Sequence, residues 1–502
     1  MQIGITGIAA WTAAGDLPAL AELVAQQGRA FRDPPYPSEG LRNPLVGAIS
    51  ELDRDRPAEA LLRHVVGEAL AQSGRAGRTG LIVGTSSGNI CGPWERWHRA
   101  ELAGTPADEA GTGRDAPTLR IAEELGLQGP IATLSVACVS GTAVLAVAEG
   151  WLRDGLCDRV VAAGLDALSL FVHAGFSGLG ALTATLPRPF EADRDGLLLG
   201  EGAAALVLEP RSAAVYLGGV GLSADAVHMT APDRHAGGAI RALRSALDRA
   251  GLPADAIHTV SVHGTATPFN DAMEQVAMDA VLPHAPPMQL VKRAIGHTMG
   301  AAGAVEAALA AHTLGERPGA IASMSSAFGG MNAAAVFCDR PAPTPPSNPT
   351  QLDPHTYSAD LQLAWPDAPL AIKRGNHSVR AALAALKQHT ELHGPLDPAT
   401  ALVLSTRTGC RPTDLRYHER LVREGTARAS RLQFTYTVPA APICEASLRF
   451  GLHGPLLAFI GPASVGVDEA QRLVRYGHAP AALALDIEDG CTEVPTTLVS
   501  RG

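Results

Sequence analysis

Short apolar runs alternate along the chain with longer stretches in which apolar residues recur every three or four positions, the two signatures of buried strands and amphipathic helices. Residues 2–8 (QIGITGI) predict an opening strand and Leu17–Gln27 a helix, whereas the Pro-rich segment Asp33–Asp53 predicts irregular surface. Helical spacing returns over Arg63–Gln72, a buried strand and Gly/Ser loop follow in TGLIVGTSSG (Thr79–Gly88), and Pro117–Leu127 predicts another helix. The stretch Gly129–Glu149 (GPIATLSVACVSGTAVLAVAE) then runs from a short apolar strand, through Cys138 among small residues, into an Ala/Val-rich helix. Arg159–Leu168, Tyr216–Val227 and Thr259–His263 predict further strands, and Ile240–Ala250 a helix. Phe190–Pro210 taken alone predicts a hairpin, with Asp193–Gly196 as its turn. Lys292–Ala310 turns at Gly296-His297 into a small-residue helix suited to close packing, and Ser325–Cys338 leads from a Gly-rich turn into a last strand of this series. Alternation of this kind predicts an α/β fold with parallel strands joined by helical crossovers. Such sheets place their sites where a helix leaves the carboxyl end of a strand, and Cys138 sits at such a junction.

After Asp339 the sequence RPAPTPPSNPT predicts a linker, assigned to residues 341–350. Beyond it the earlier pattern returns. TALVLSTRTG (Thr400–Gly409) parallels TGLIVGTSSG, and APICEASLRFGLHGP (Ala441–Pro455) parallels APTLRIAEELGLQGP (Ala116–Pro130) at a constant offset of 325 residues, Pro117 to Pro442 and Pro130 to Pro455. Fixed-offset similarity predicts a duplicated unit. The same register sets Ala463 opposite Cys138 and Gly466 opposite Gly141, so the copy lacks the cysteine.

Composition narrows the classes. The 502 residues are 46% hydrophobic and 18% charged, with abundant Gly and Ala, as expected of helix layers packed tightly on sheet. No apolar run is long enough to span a bilayer and no basic leader precedes the first apolar residues, which predicts a soluble cytoplasmic protein. Seven scattered cysteines without a Cys-x-x-Cys pair predict reduced thiols and neither a disulfide framework nor a metal site. A formal net charge of −10 argues against nucleic acid as the partner.

Cys138 is open to two readings, a small buried hydrophobe or a nucleophile whose thiolate the helix N-terminus favours. His263 and His297, each at an element end, are likewise open to structural or catalytic roles. Five motifs taken in order single out one family. They are Ala137-Cys138-x-Ser140-Gly141; Arg194-Asp195-Gly196 with Gly200-Glu201-Gly202; His263-Gly-Thr-x-Thr267 with Asn270-Asp271; Lys292-x-x-x-Gly296-His297-x-x-Gly300-Ala-Ala-Gly303; and Phe328-Gly-Gly-x-Asn332.

Together these motifs resemble the elongating β-ketoacyl-acyl carrier protein synthases of fatty acid and polyketide biosynthesis, over about residues 1–340. The resemblance implies a thiolase-like fold, five-layered αβαβα, with a nucleophile-bearing half (1–215) and a histidine-bearing half (216–340). Residues 351–502 are then an inactive α/β half-lobe resembling the first, with a structural or chain-length-setting role. It implies Cys138 as acyl carrier and His263 and His297 as donors to a malonyl-derived enolate. Lys292 and Glu306 become a supporting ion pair, Phe328 a gate and oxyanion-hole residue hinged on Gly329 and Gly330, and Thr265 and Thr267 contacts for a pantetheine arm. No permanently bound cofactor or metal is implied. The substrates ride on the phosphopantetheine of an acyl carrier protein, and the expected assembly is a homodimer or a heterodimer with a ketosynthase-like subunit. The alternatives are a cysteine acyltransferase without decarboxylation and a non-catalytic subunit resembling a chain length factor.

Overall fold

A computed structural model describes residues 1–74, 77–369 and 375–502. Its strands are β1 (Gly4–Thr12), β2 (Gly15–Asp16), β3 (Thr79–Gly84), β4 (Ile131–Leu134), β5 (Arg159–Asp166), β6 (Gly202–Glu209), β7 (Val215–Ala224), β8 (Ile257–Ser261), β9 (Met288–Gln289), β10 (Ala320–Ser326), β11 (Met331–Cys338), β12 (Thr350–Ser358), β13 (Ala401–Thr406), β14 (Leu456–Ile460), β15 (Ala481–Asp486) and β16 (Glu493–Arg501). Fifteen of them form three five-stranded sets in the orders β4-β3-β5-β6-β1, β7-β11-β10-β8-β9 and β14-β13-β15-β16-β12, while β2 pairs only with β1. In each set three neighbouring strands run parallel and two antiparallel strands complete the sheet. The third set therefore repeats the first strand for strand.

Between the first two sheets lie the helices Ser140–Arg153 and Ala302–Glu316, each touching strands of both. Pro57–Ser73 covers the outer face of the first sheet and Gly237–Ala250 that of the second, which completes five layers. The central helices are composed of small residues because they must pass close together. A Cβ on Gly141 would lie 2.5 Å from the backbone nitrogen of Ala304. Every residue from Ser140 to Leu152 is buried, so that helix has no solvent face.

The first and third sheets join edge to edge. β14 pairs antiparallel with β4, Phe459 opposite Leu134, and Ser135 N–H donates to the Ala458 carbonyl at 2.8 Å. Phe459 lies 325 residues beyond Leu134, which is the sequence offset of the duplication. Each copy thus meets its own equivalent across a local two-fold axis, as two protomers would. The β4 edge, a row of N–H and C=O groups that would otherwise template another strand, is closed within the chain.

Several local expectations change. Phe190–Pro210 is not a hairpin, because β6 pairs with β1 and β5 on either side. Glu201 instead anchors a buried crossing, its carboxylate accepting from the Ile49 and Leu168 N–H groups and from Arg54. The helices Pro93–Leu102, Leu170–Leu179 and Pro268–Val281 and the strand β10 are not anticipated by the sequence pattern. Residues 341–349 are irregular, in keeping with their prolines. Among the described residues no helix is long and apolar enough to cross a membrane.

Candidate active site

β4 delivers the chain into a tight 3-10 turn, Ala137–Val139, ahead of the helix Ser140–Arg153. Ala137 takes a left-handed φ of +52°, a conformation a side chain adopts only under constraint. The constraint is Ser140, whose hydroxyl accepts from Val136 N–H at 3.0 Å and donates to the Ala137 carbonyl at 2.6 Å. Cys138, at the tip of this turn, points its sulfur into a cavity.

His297 is presented by a similar device. Its N–H donates to the Leu198 carbonyl at 2.7 Å, its carbonyl accepts from Gly200 N–H at 2.9 Å, and a 3-10 turn at Met299–Ala301 leads into the helix Ala302–Glu316. Nε2 of His297 lies 3.1 Å from Cys138 Sγ. His263 follows β8, and the His263 and Gly264 N–H groups both donate to the Glu274 carboxylate. The two imidazole rings stand 5.3 Å apart, nearly perpendicular. Nδ1 of each is buried without a hydrogen-bond partner among the described residues. A sulfur and two imidazoles that are far apart in sequence thus share one wall.

Electrostatics here are governed by burial. His263 and His297 are driven well below the ordinary histidine range, by desolvation first and by the Lys292 charge second, so both rings are neutral near pH 7. Burial also pushes the Cys138 thiol up to about 12, against an opposing pull from Lys292. This corrects the expectation of a resting thiolate at the helix N-terminus, because desolvation outweighs the local dipole. The group is a thiol poised against a neutral imidazole. Lys292 and Glu306 form the expected ion pair, fully buried, with Glu306 pushed up to about 7 by desolvation and held down by its partner.

The cavity has a volume of about 500 Å³ and includes Cys138, His263, His297, Thr265, Thr267 and Phe328 in its lining. The Thr265 and Thr267 hydroxyls are hydrogen-bonded to each other at 2.9 Å. Phe328 stacks on Phe176 at 5.9 Å. Gly329 and Gly330 lie buried behind Phe328 with φ of +90° and +75°, and set the turn rather than the cavity wall. Gly329 N–H donates to the Met229 carbonyl at 2.7 Å, which fastens the loop.

Two buried carboxylates escaped the sequence reading. Glu274, pushed up to about 8 by burial, fixes the backbone at His263. Asp166, at the end of β5, accepts from the Ser86, Ser87 and Gly300 N–H groups and from the Thr85 and Ser87 hydroxyls, tying together the loops that flank Cys138 and His297. The available signals were an acidic residue three positions after Asp271 on one helical face, and an acid ending an apolar strand. Among the described residues no group of His, Cys, Asp and Glu could hold a metal ion.

Comparison with known proteins gives the same direction. Residues 44–214 match the model of the β-ketoacyl synthase N-terminal domain and residues 214–326 that of its C-terminal domain. Nodulation protein E of Rhizobium meliloti is 36% identical over 279 residues, covering 51% of this chain and 68% of that protein. The 3-oxoacyl-[acyl-carrier-protein] synthase 2 of Vibrio cholerae is 35% identical over 210 residues, 38% of this chain and half the length of that synthase. Among solved structures, the ishigamide ketosynthase/chain length factor superposes with a TM-score of 0.59 at 26% identity, over 67% of this chain and 98% of that one. The PfaC keto synthase-chain length factor matches in fold over 100% of this chain and 78% of its own, with a TM-score of 0.77 at 16% identity. With the matched family domains spanning both halves that carry Cys138, His263 and His297, this chain belongs to the β-ketoacyl synthase family.

Proposed function

We propose that the chain joins an acyl group held on Cys138 to a malonyl unit by decarboxylative Claisen condensation, in fatty acid or polyketide synthesis. The observation that carries this reading is the 3.1 Å approach of His297 Nε2 to Cys138 Sγ in a cavity that His263 also faces. Cys138 Sγ forms a bond to the acyl carbonyl carbon, the carrier's C–S bond breaks, and the thiol proton passes through His297 to the departing thiolate. One thioester replaces another, at little thermodynamic cost. The backbone N–H groups of Cys138 and Phe328 hold the oxyanion.

The malonyl thioester then occupies the cavity, its arm along Thr265 and Thr267. Loss of carbon dioxide leaves an enolate, and two neutral imidazoles donate to its oxygen in a water-poor site, where such hydrogen bonds are strongest. The enolate carbon attacks the acyl-cysteine carbonyl and the Cys138 C–S bond breaks, regenerating the thiol once protonated. Burial and the Lys292 charge keep the imidazoles neutral, and Glu306 pairs with Lys292.

Both units ride on the phosphopantetheine of an acyl carrier protein, with no permanently bound cofactor. Seven free cysteines suit a reducing cytoplasm. Residues 351–502 occupy the place of a partner protomer at β4. Retention of the cysteine and both histidines disfavours a non-catalytic subunit, and paired neutral imidazoles favour decarboxylation over simple acyl transfer. The test is incubation of the full-length protein with acyl-loaded and malonyl-loaded carrier proteins: a β-ketoacyl product and one carbon dioxide per turnover are expected, both lost in Cys138→Ala. Product formation undiminished in Cys138→Ala overturns the reading.

A further inference from the structure

The 3.1 Å approach of His297 to Cys138 joins two turns that lie 159 residues apart, and a third segment backs both. This is the loop of residues 85–88 that follows β3. On one side it meets the Cys138 turn: Thr85 N–H donates to the Leu134 carbonyl at the end of β4 at 3.0 Å, and a Cβ on Gly84 would lie 2.6 Å from the Ser140 carbonyl. On the other it meets the His297 turn, where a Cβ on Gly300 would lie 2.5 Å from the Ser86 nitrogen and 2.7 Å from the Asp166 carboxylate. Contacts this close leave room for a hydrogen atom only.

Asp166 ends β5 where these segments meet, and it is 0% exposed. One carboxylate oxygen accepts from Ser86 N–H at 2.9 Å and from Gly300 N–H at 2.7 Å, and so bridges the loop to the His297 turn. The other accepts from Ser87 N–H at 2.9 Å and from the Thr85 and Ser87 hydroxyls at 2.8 and 2.5 Å. Five donors satisfy a charge whose burial would otherwise be costly. Arg114 holds the same loop from outside: its guanidinium donates to the Ser86 carbonyl at 2.5 Å, and to Asp414 and the Thr437 carbonyl of the duplicated unit, each at 2.8 Å. The loop is thereby fixed against the duplicated unit, and the carboxylate fixes the His297 turn against the loop.

Resting on the condensation reading above, we propose that Asp166 is a positioning residue for acyl transfer: by bridging Ser86 to Gly300 it holds His297 Nε2 within reach of the Cys138 thiol proton. The other charged and titratable groups facing the pair are Lys292, Glu306 and His263. With the bridge in place, the neutral imidazole takes the proton as the sulfur bonds to the acyl carbon, and loading does not depend on free thiolate. With the bridge broken, the thiol must ionise unaided. Burial pushes that thiol up to about 12, so its thiolate fraction climbs about tenfold with each pH unit.

The test follows acylation of Cys138 in the full-length protein by butyryl-N-acetylcysteamine, read by intact-protein mass spectrometry from about pH 6.5 to about pH 8.5. The wild type is expected to load at a rate that is flat across this range. Asp166→Ala is expected to load about a hundredfold more slowly near pH 7, with a rate that climbs about tenfold per pH unit. Asp166→Asn removes the charge but keeps an oxygen for the Ser86 and Gly300 N–H groups, and is expected to stay within about tenfold of the wild type with a flat profile. Should Asp166→Ala fail to fold by circular dichroism, Gly300→Ala leaves the carboxylate in place, wedges a methyl group into the bridge and is expected to give the same climbing profile. A merely structural role lowers the active fraction equally at every pH. A flat profile in folded Asp166→Ala or Gly300→Ala therefore overturns the inference while leaving the condensation reading intact. Failure of the wild type to acylate Cys138 overturns both.

Discussion

The junctions Ile131–Arg153 and Leu456–Arg475 are the two versions of one strand-to-helix unit, and they face each other across the β4–β14 pair. The first carries Cys138 at its turn and a helix buried on every side. The second carries Ala463, and of its helix only Gly466, Glu469, Ala470, Leu473 and Val474 are buried, while Ser464 and Asp468 are exposed. The difference follows from what each helix packs against. A second sheet lies over the first helix, so polar positions there would be stranded without water. No further sheet covers the second among the described residues, so it keeps the amphipathic pattern of a surface helix. The backbone plan is shared and the chemistry is not: the second unit has the strand order that closes β4, and Ala463 stands where the first has Cys138.

Removing or transplanting the nucleophile breaks the comparison most sharply. Cys138→Ala is expected to reduce condensation by at least about a thousandfold, whereas Ala463→Cys is expected to gain no acylation, because among the described residues the paired imidazoles His263 and His297 face Cys138 and its cavity. Intact-mass analysis after incubation with acyl thioester checks both. Next in size are the histidines. His263→Ala and His297→Ala each lower condensation by about a hundredfold or more, but only His297→Ala also slows acyl loading, since it alone touches the sulfur. Rapid-quench assays of the two half-reactions separate them.

The interface between the copies comes third. Arg114→Ala leaves Asp414 buried and unpaired, at a cost of about 3–5 kcal/mol, read as a fall in chemical-denaturation stability. Smaller still, Gly141→Ala forces a Cβ toward Ala304 backbone and costs ~1–3 kcal/mol, whereas Gly466→Ala meets only the Ser405 hydroxyl and costs less. The smallest effect is one of pH. With both imidazoles held well below the ordinary value of about 6.5, their neutral forms persist as pH falls through 6.5, so malonyl decarboxylation stays flat there and declines only at lower pH. A pH–rate profile bending near 6.5 would contradict the buried, neutral pair.

The side chains that meet at the cavity and the strand order shared by the first and third sheets were legible in the sequence because each is written locally. Cys138, His263, His297 and Lys292 sit in short motifs whose spacing is set by a turn, Glu306 follows the Lys292 motif by three residues, and the offset of 325 holds at the Pro and Gly positions of both segments. What stayed hidden depends on long-range approach. Arg114 and Asp414 matter only because residues 300 positions apart meet, and nothing in the local sequence of either marks that approach. Burial, too, is a property of the folded whole, which is why the helix N-terminus suggested a thiolate where desolvation keeps a thiol. Glu274 lay between these cases: it follows Asp271 of the His263 motif by three positions, but the helix that carries it was not anticipated and its backbone partners exist only in the folded chain.

The account turns on one chemical event at one sulfur. Full-length protein charged with a short acyl thioester and freed of excess should carry a single acyl adduct on Cys138 by mass spectrometry. On addition of malonyl-loaded carrier protein the adduct should vanish with release of one carbon dioxide per chain and appearance of a β-ketoacyl carrier. An adduct on another cysteine, or one on Cys138 that persists while carbon dioxide is released, would contradict it.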